Sequence, residues 1–427
     1  MIDPARIAED NEPHLAAHRR DLAHAVDVVG RTGIDAESVI AAVAELSVAA
    51  PSWAMGTGGT RFGRFPGGGE PRTTEEKVDD VAALNALTGA NRSISLHVPW
   101  DQPDDPESLR AYAAQRGLRF DAMNSNTFQD NPSTTAGGDI SYKFGSLCHT
   151  DPGVRKLAIE HNREVIDLGV KLGSHAITVW LADGINHPGQ ASFRGQFERV
   201  QEGLVQIHDA TPADWLMFTE HKPYEPALYS SVNNDWGTSL LLATGAGPRA
   251  RCLVDLGHHL PNTNIEQVVS RLAMVGRLGG FHFNDSKYGD DDLTVGSIRP
   301  FQLFLIVNEL LEAGRGRLPD LAYMIDESHN LKDPIEDLIQ ATDAIQHTLA
   351  LSTCVDRAAL ADAQQDNDPA RAAEVLHQAY RTDVRPIVAE ARRRNGAALY
   401  PLWTYRRVGY RGAKVAERGR SAISTGL

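Results

Sequence analysis

Eight short apolar runs organise the middle of this chain. Each ends in polar residues and is followed by a stretch of helical period. They are VAAPSW (48–53), SISLHV (93–98), LRFDAM (118–123), HAITVW (175–180), WLMFTEH (215–221), RCLVDL (251–256), GFHFND (280–285) and LAYMID (321–326). Such near-continuous apolarity is what a strand needs when both its faces are covered, as in a parallel sheet backed by helices. The intervening segments carry helix punctuation. Thr73 and Glu76 have the spacing of a capping box, and Asp151-Pro152 reads as an N-cap followed by proline at the first helical position, with Gly173 as the stop. Phe193, Phe197, Val200, Leu204 and Ile207 recur at spacings of four and three, an apolar stripe on one face. Asn264 opens a helix that Gly279-Gly280 closes, and Pro300 and Pro334 start the last two. Strand–helix alternation repeated in this way predicts a closed (β/α)₈ TIM barrel.

The barrel is expected over residues 47–351. Residues 1–46 read as an N-terminal helical segment whose second helix offers only Val39, Ile40, Val43 and Leu46, too few for a core of its own. Residues 352–427 read as a C-terminal helical extension ending in a basic tail with Trp403, Tyr405 and Tyr410. That tail suits docking on another subunit or the rim of the site, and equally a solvated surface extension. The glycine-rich stretch 56–71 lacks the GxxxxGK of a phosphate loop and reads as the connection after the first strand.

Composition excludes several classes of partner. With 42 Lys+Arg against 56 Asp+Glu the net charge is −14, which argues against nucleic acid or an anionic membrane. No 18-residue apolar run exists to span a bilayer, and the acidic, polar start is unlike a signal peptide. Three widely separated cysteines, Cys148, Cys252 and Cys354, give no disulfide framework and fit a reducing cytoplasm.

Active sites of such barrels lie at the C-terminal ends of the strands. There the runs place Trp53, His97, Asn124, Trp180, Glu220, Asp255, His282 and Asp326. Glu220, Asp255, His282 and Asp326, from consecutive strands, can converge on one divalent cation. Three carboxylates and an imidazole suit Mn²⁺, Mg²⁺ or Co²⁺ better than a thiolate-type zinc site. Each residue taken alone is equally explained as a loop cap or a hydrogen-bonded strand end. If Asp255 bridges, a second ion is available to Asp255, His258, Asp290 and Asp292. The Asp290-x-Asp292 pair would aim both carboxylates the same way from an extended loop, with Asp291 turned away and Asp285 behind the ligands. Lys222 suits a substrate oxygen that becomes negative, or else a salt bridge to a site carboxylate. Trp53 and Trp180, with Phe62 or Phe128, would supply flat apolar walls.

The segments SLHVPWD (95–101), TVWLADG (178–184), FTEHKPYEP (218–226), VDLGHH (254–259), FHFNDSKYGDDDL (281–293) and MIDESHN (324–330) together resemble the xylose-isomerase-like barrel superfamily. Within it the chain is most similar to the bacterial L-rhamnose isomerase subtype of broad aldose specificity. The resemblance implies a homotetramer, two divalent cations per subunit with Mn²⁺ as first choice, and aldose–ketose isomerisation of a small sugar. It places His97 at the ring oxygen, Lys222 at the carbonyl oxygen, Trp180 against the carbon chain, and Asp292 in the catalytic ion's ligand set. Compared with xylose isomerases proper, the sixth strand carries Asp for Glu and the seventh His for Asp, which argues against xylose as main substrate. Two rival readings stand beside this one. The first is a ketose 3-epimerase of the same superfamily, with Glu327 in the place of Asp326; the second is a metal-bearing binding protein without turnover.

Overall fold

The structure is a computed structural model and describes residues 2–56, 67–127, 130, 140–181, 183–224, 230–327 and 331–420. Its strands are β1 (Ala50–Pro51), β2 (Ser93–Ser95), β3 (His97–Val98), β4 (Arg119–Phe120), β5 (Met123–Asn126), β6 (Ala176–Trp180), β7 (Leu216–Glu220), β8 (Ala250–Asp255), β9 (Leu278–Phe283) and β10 (Ala322–Ile325). Every pairing is parallel. One ladder runs β10-β9-β8-β7-β6-β5-β3 and the other β1-β2-β4. The pairs β2/β3 and β4/β5 are each one stave interrupted midway, so the staves number eight, as the runs predict. Ala49 closes the ring, donating its N–H to Tyr323 O at 2.8 Å and accepting from Ile325 N at 3.0 Å. Helices alternate with the staves on the outside, which makes this a (β/α)₈ barrel with helical additions.

Local chemistry accounts for most element boundaries. Asp151 caps the helix Pro152–Leu172 and Gly173 ends it in the left-handed region, while Asn264 caps Ile265–Met274. Thr73 accepts from Glu76 N, but the Glu76 carboxylate turns to Arg72 N, so only half of the capping box forms. Three expectations are corrected. The first apolar run makes only a two-residue strand, and Trp53 sits on the short helix Ser52–Met55 that follows. The third run reaches past its expected end, its site-bearing part being β5. Gly279 and Gly280 lie inside β9 instead of closing a helix; Gly276, at φ +65°, already stands past that helix's end. A Cβ on Gly280 would come within 2.5 Å of Ala322 O, and one on Gly279 within 2.5 Å of Arg251 Cβ, so only glycine allows β9 to sit so close to its neighbours.

Side chains alternate along a strand. Phe218, Leu253, Gly280 and Met324 therefore sit one layer beneath Glu220, Asp255, His282 and Asp326, and a small cluster of Ala122, Ala176, Phe218 and Leu253 lies apart from the main core. The main core fills the space between staves and surrounding helices. Val39, Ile40 and Val43 find their partners in Val384, Ile387 and Val388 of the C-terminal extension.

The basic tail docks on its own chain. Its helices Pro401–Val408 and Tyr410–Arg418 send Arg406 to Glu336, Arg407 to Asp10, Arg411 to Asp333 and Arg418 to Asp80. Arg411 and Arg418 also donate to Gly69 O, and Gly69 N donates to Gly419 O at 2.9 Å. Gly69 has φ +76° and no room for a side chain against Lys414 and Val415. Residues 57–66 of the glycine-rich stretch, with Phe62, lie outside the described residues. Asp80 and Arg418 have side-chain exposures of 0% and 1% and meet at 2.9 Å. Arg418→Ala leaves that carboxylate buried with the Tyr410 hydroxyl but without its counter-charge, and should lower stability by about 3–5 kcal/mol in urea unfolding. A loss within a few tenths of a kcal/mol would mean water reaches Asp80.

Candidate metal centre

Parallel register brings the expected ligands to one end of the barrel. Asp255 pairs with His282 directly across β8 and β9; Glu220 ends β7, and Asp326 follows β10, its N–H donating to Phe283 O. One donor atom from each of Glu220, Asp255, His282 and Asp326 lies within 4.8 Å of the others, the one such group among the described residues. His282 Nδ1 stands 3.1 Å from Glu220 Oε1, 3.2 Å from Asp326 Oδ2 and 3.7 Å from Asp255 Oδ2. Neighbours fix the remaining oxygens. Trp180 Nε1 donates to Glu220 Oε2 at 2.5 Å, Trp53 Nε1 to Asp326 Oδ1 at 2.9 Å, and Asn284 Nδ2 and Gly257 N to Asp255 Oδ1. Glu327 points elsewhere, its Oε2 accepting from Val295 N, so the register presents Asp326 to the cluster.

The second expected set assembles in part. His258 Nε2 lies 2.9 Å from Asp290 Oδ1 and 3.9 Å from Asp255 Oδ2, and its Nδ1 is 3.2 Å from Glu220 Oε1. Lys222 Nζ meets Asp290 Oδ2 at 3.0 Å, the salt-bridge alternative of the sequence reading. Asp290 and Asp292 are not extended. Their φ angles are +55° and +48°, so a tight loop aims them, not alternation along an extended segment. Burial holds the Glu327 carboxyl well above the usual range, with the charges of Asp337 and, to a smaller extent, Asp292 adding to the rise. Asp291 accepts from the backbone N–H groups of Lys287, Tyr288 and Gly289, and Asp285 from those of Ser286, Ile298 and Arg299; both brace the loop.

His97 is buried in an aromatic box, with ring centroids 4.7 Å from Trp100, 5.1 Å from Trp180 and 5.8 Å from Trp53. Its Nε2 meets Asn126 Nδ2 at 2.8 Å. Behind it Asp101 accepts from His97 N, from the Ser52 hydroxyl and from Lys77 Nζ, tying the strand end to the helix that carries Trp53. Sequence reasoning missed Trp100, Asn126 and this buried ion pair. Phe128 lies outside the described residues.

The electrostatics are those of a site built for positive charge. Burial opposes ionisation of Glu220, but His282 and His258 hold its carboxyl well below the usual range. Burial lifts Asp255 to about 6, with Glu220 and Asp326 adding to the rise and His258 opposing it. Burial would lower His282, yet Glu220 and Asp326 raise it to about 10. His97, by contrast, is lowered by burial to about 4 and is uncharged near neutrality. The residues fit a divalent cation. Asp255 Oδ2 is buried without a hydrogen-bond partner while facing two imidazoles, and the donors are mostly hard oxygens.

Comparison with known proteins places this geometry in a family. Residues 84–331, more than half of the chain, match the family described as xylose isomerase-like TIM barrel. This chain belongs to the xylose isomerase-like TIM-barrel family. Within that family it is 50% identical over 420 residues to a probable sugar isomerase of Rhizobium meliloti strain 1021, covering 98% of this chain and 97% of that protein. It is 52% identical over 420 residues to a probable sugar isomerase of Mesorhizobium japonicum, covering 98% and 96%. Among solved structures an L-ribulose 3-epimerase superposes with a TM-score of 0.55 at 15% identity, over 75% of this chain and 99% of the other, a likeness of fold. No described helix of this xylose isomerase-like barrel is long and apolar enough to cross a membrane.

Protonation gives a check on the centre. Asp255 and His282 both have raised folded pKa values, so the stability each contributes is present below its unfolded pKa and lost as pH rises through the folded one. The windows are roughly pH 4–6 and 6.5–10. Cation uptake needs both groups deprotonated. The rise in melting temperature on adding Mn²⁺ to the metal-stripped protein should therefore grow from pH 5 to pH 8 in scanning calorimetry. A flat difference would mean that these two groups do not hold the ion.

Proposed function

We propose that the protein is a metal-dependent aldose–ketose isomerase acting on L-rhamnose and related aldoses such as D-allose, as a cytoplasmic homotetramer with two divalent cations per subunit, Mn²⁺ foremost. The observation that carries this reading is the convergence of Glu220, Asp255, His282 and Asp326 beside Lys222 and His97 and under indole walls. The extensive identity with two probable sugar isomerases supports it. In this reading Glu220, Asp255, His282 and Asp326 hold one cation, and Asp255, His258, Asp290 and Asp292 the other. Divalent cations held there would supply Lewis-acid charge for sugar oxygens and for a water.

The chain's own side chains supply the rest. Trp53 and Trp180 stand edge to face, centroids 5.2 Å apart, and present apolar faces that exclude water and receive C–H groups of the sugar. His97, neutral and buried, takes part in ring opening by moving a proton at the ring oxygen. In the transfer step O2 would give its proton to a water at the second locus, oriented by Asp292, as C2 becomes the carbonyl and hydride passes from C2 to C1. Lys222 would stabilise the charge that builds on O1 until that water returns the proton to it.

The test is an aldose panel of L-rhamnose, D-allose, L-mannose and L-lyxose scored for ketose, with metal content after dialysis. Two ions and ketose formation are expected. One ion with interconversion of ketoses identifies a 3-epimerase instead, and cation binding without turnover a binding protein. In deuterated water, product carrying no label at C1 is expected for direct C2-to-C1 transfer; label on every turnover would replace it with an enediol path.

A further inference from the structure

We propose that Lys222 and a divalent cation compete for Asp290, so that filling the second locus hands the Lys222 ammonium from the protein to the substrate. This rests on the second-cation part of the reading above and not on turnover. Lys222 stands two residues beyond Glu220, just past β7, with its Nζ 3.0 Å from Asp290 Oδ2. The other Asp290 oxygen lies 2.9 Å from His258 Nε2. The one carboxylate thus faces two nitrogen donors. His258 ligates an ion once it is neutral, whereas an ammonium cannot ligate and only neutralises.

The two sides of the ion pair differ in their freedom to move. Asp290 is pinned by its backbone, its N–H donating to Gly257 O at 2.8 Å in a left-handed conformation, and the adjacent Gly289 O accepts from Tyr224 OH at 3.0 Å. Its side chain is 4% exposed against 19% for Lys222. Lysine carries its charge on a flexible four-carbon stem. When both cannot share the carboxylate, the lysine is the group that leaves. Asp255 Oδ2, wholly buried and without a hydrogen-bond partner, stands 3.9 Å from His258 Nε2 and adds a second oxygen for an ion. A divalent charge at Asp290 would lie within a few ångströms of Nζ and repel it in a poorly screened site. Lys222 therefore serves as the stand-in counter-ion of Asp290 until the second ion arrives, and only then turns to a substrate oxygen.

The experiment is Mn²⁺ titration of the metal-stripped full chain, wild type beside K222M and K222R, by calorimetry with bound ions counted by electron paramagnetic resonance. Wild type should bind two ions, the second more weakly. In K222M the second ion should bind about tenfold more tightly or better, with the first unchanged, whereas K222R, which keeps the charge, should resemble wild type. Unchanged or weaker second binding in K222M overturns the inference while leaving two cations in place. One ion in wild type and two in K222M shows that Lys222 keeps the ion from Asp290, and overturns the hand-over together with the two-cation proposal. One ion in both overturns both. The first ion reports folding in every variant, and K222Q replaces K222M if that count falls below one.

Discussion

Replacing His282 with alanine should give a protein that retains no divalent cation through dialysis and converts sugar more than about a hundredfold more slowly. Outer partners of metal ligands alone account for roughly 10- to 100-fold, and His282 lies inside that shell. The imidazole does more than donate. Raised to about 10 by Glu220 and Asp326, it carries the positive charge that makes three gathered carboxylates tolerable without an ion. Its removal leaves them buried and mutually repelling, so the metal-free variant should also lose about 3–5 kcal/mol of stability. Asp326→Asn, which removes one negative charge, should lose the ion with a smaller stability penalty. Metal analysis paired with urea unfolding separates the two effects. Full metal content in His282→Ala would remove this residue from the centre.

Asp292→Asn should do the reverse, sparing the structure and stopping turnover. At φ +48° the position suits asparagine, which visits the left-handed region as readily as aspartate. The substitution therefore changes charge with little backbone cost, and the melting temperature should stay within a degree or two of wild type. If Asp292 ligates a second ion as proposed, turnover should fall more than about a hundredfold while an ion at the Glu220, Asp255, His282 and Asp326 cluster stays bound. Near-normal activity would place Asp292 outside the chemistry.

The barrel and the gathering of four candidate ligands at its mouth were legible because a buried parallel strand writes a hydropathic run, and a polar residue ending such a run can face only the mouth. Glu220, Asp255, His282 and Asp326 each obey that rule. The rule fails where the strand itself is polar. β5 reads Met-Asn-Ser-Asn, all buried, and has no apolar stretch to mark it, so Asn126 beside His97 went unnoticed. Its buried polar residues are themselves the available signal. Gly279 and Gly280 misled for a similar reason, since a glycine that ends a helix and one that lets two strands close up look alike in sequence. Loop geometry was the least legible. The Asp-x-Asp spacing at 290–292 suggested two parallel carboxylates, whereas the left-handed turns depend on Asp291 and Asp285 collecting backbone N–H groups from residues on both sides.

The clasp of Gly69 by Arg411, Arg418 and Gly419 has a consequence for how the molecule matures. Residues 411–419 are synthesised more than 340 residues after Gly69, yet they secure the segment leading out of the stretch behind β1. That contact can form only once both segments have left the ribosome. Removing residues 411–419 would consequently be felt at Gly69, far away along the chain.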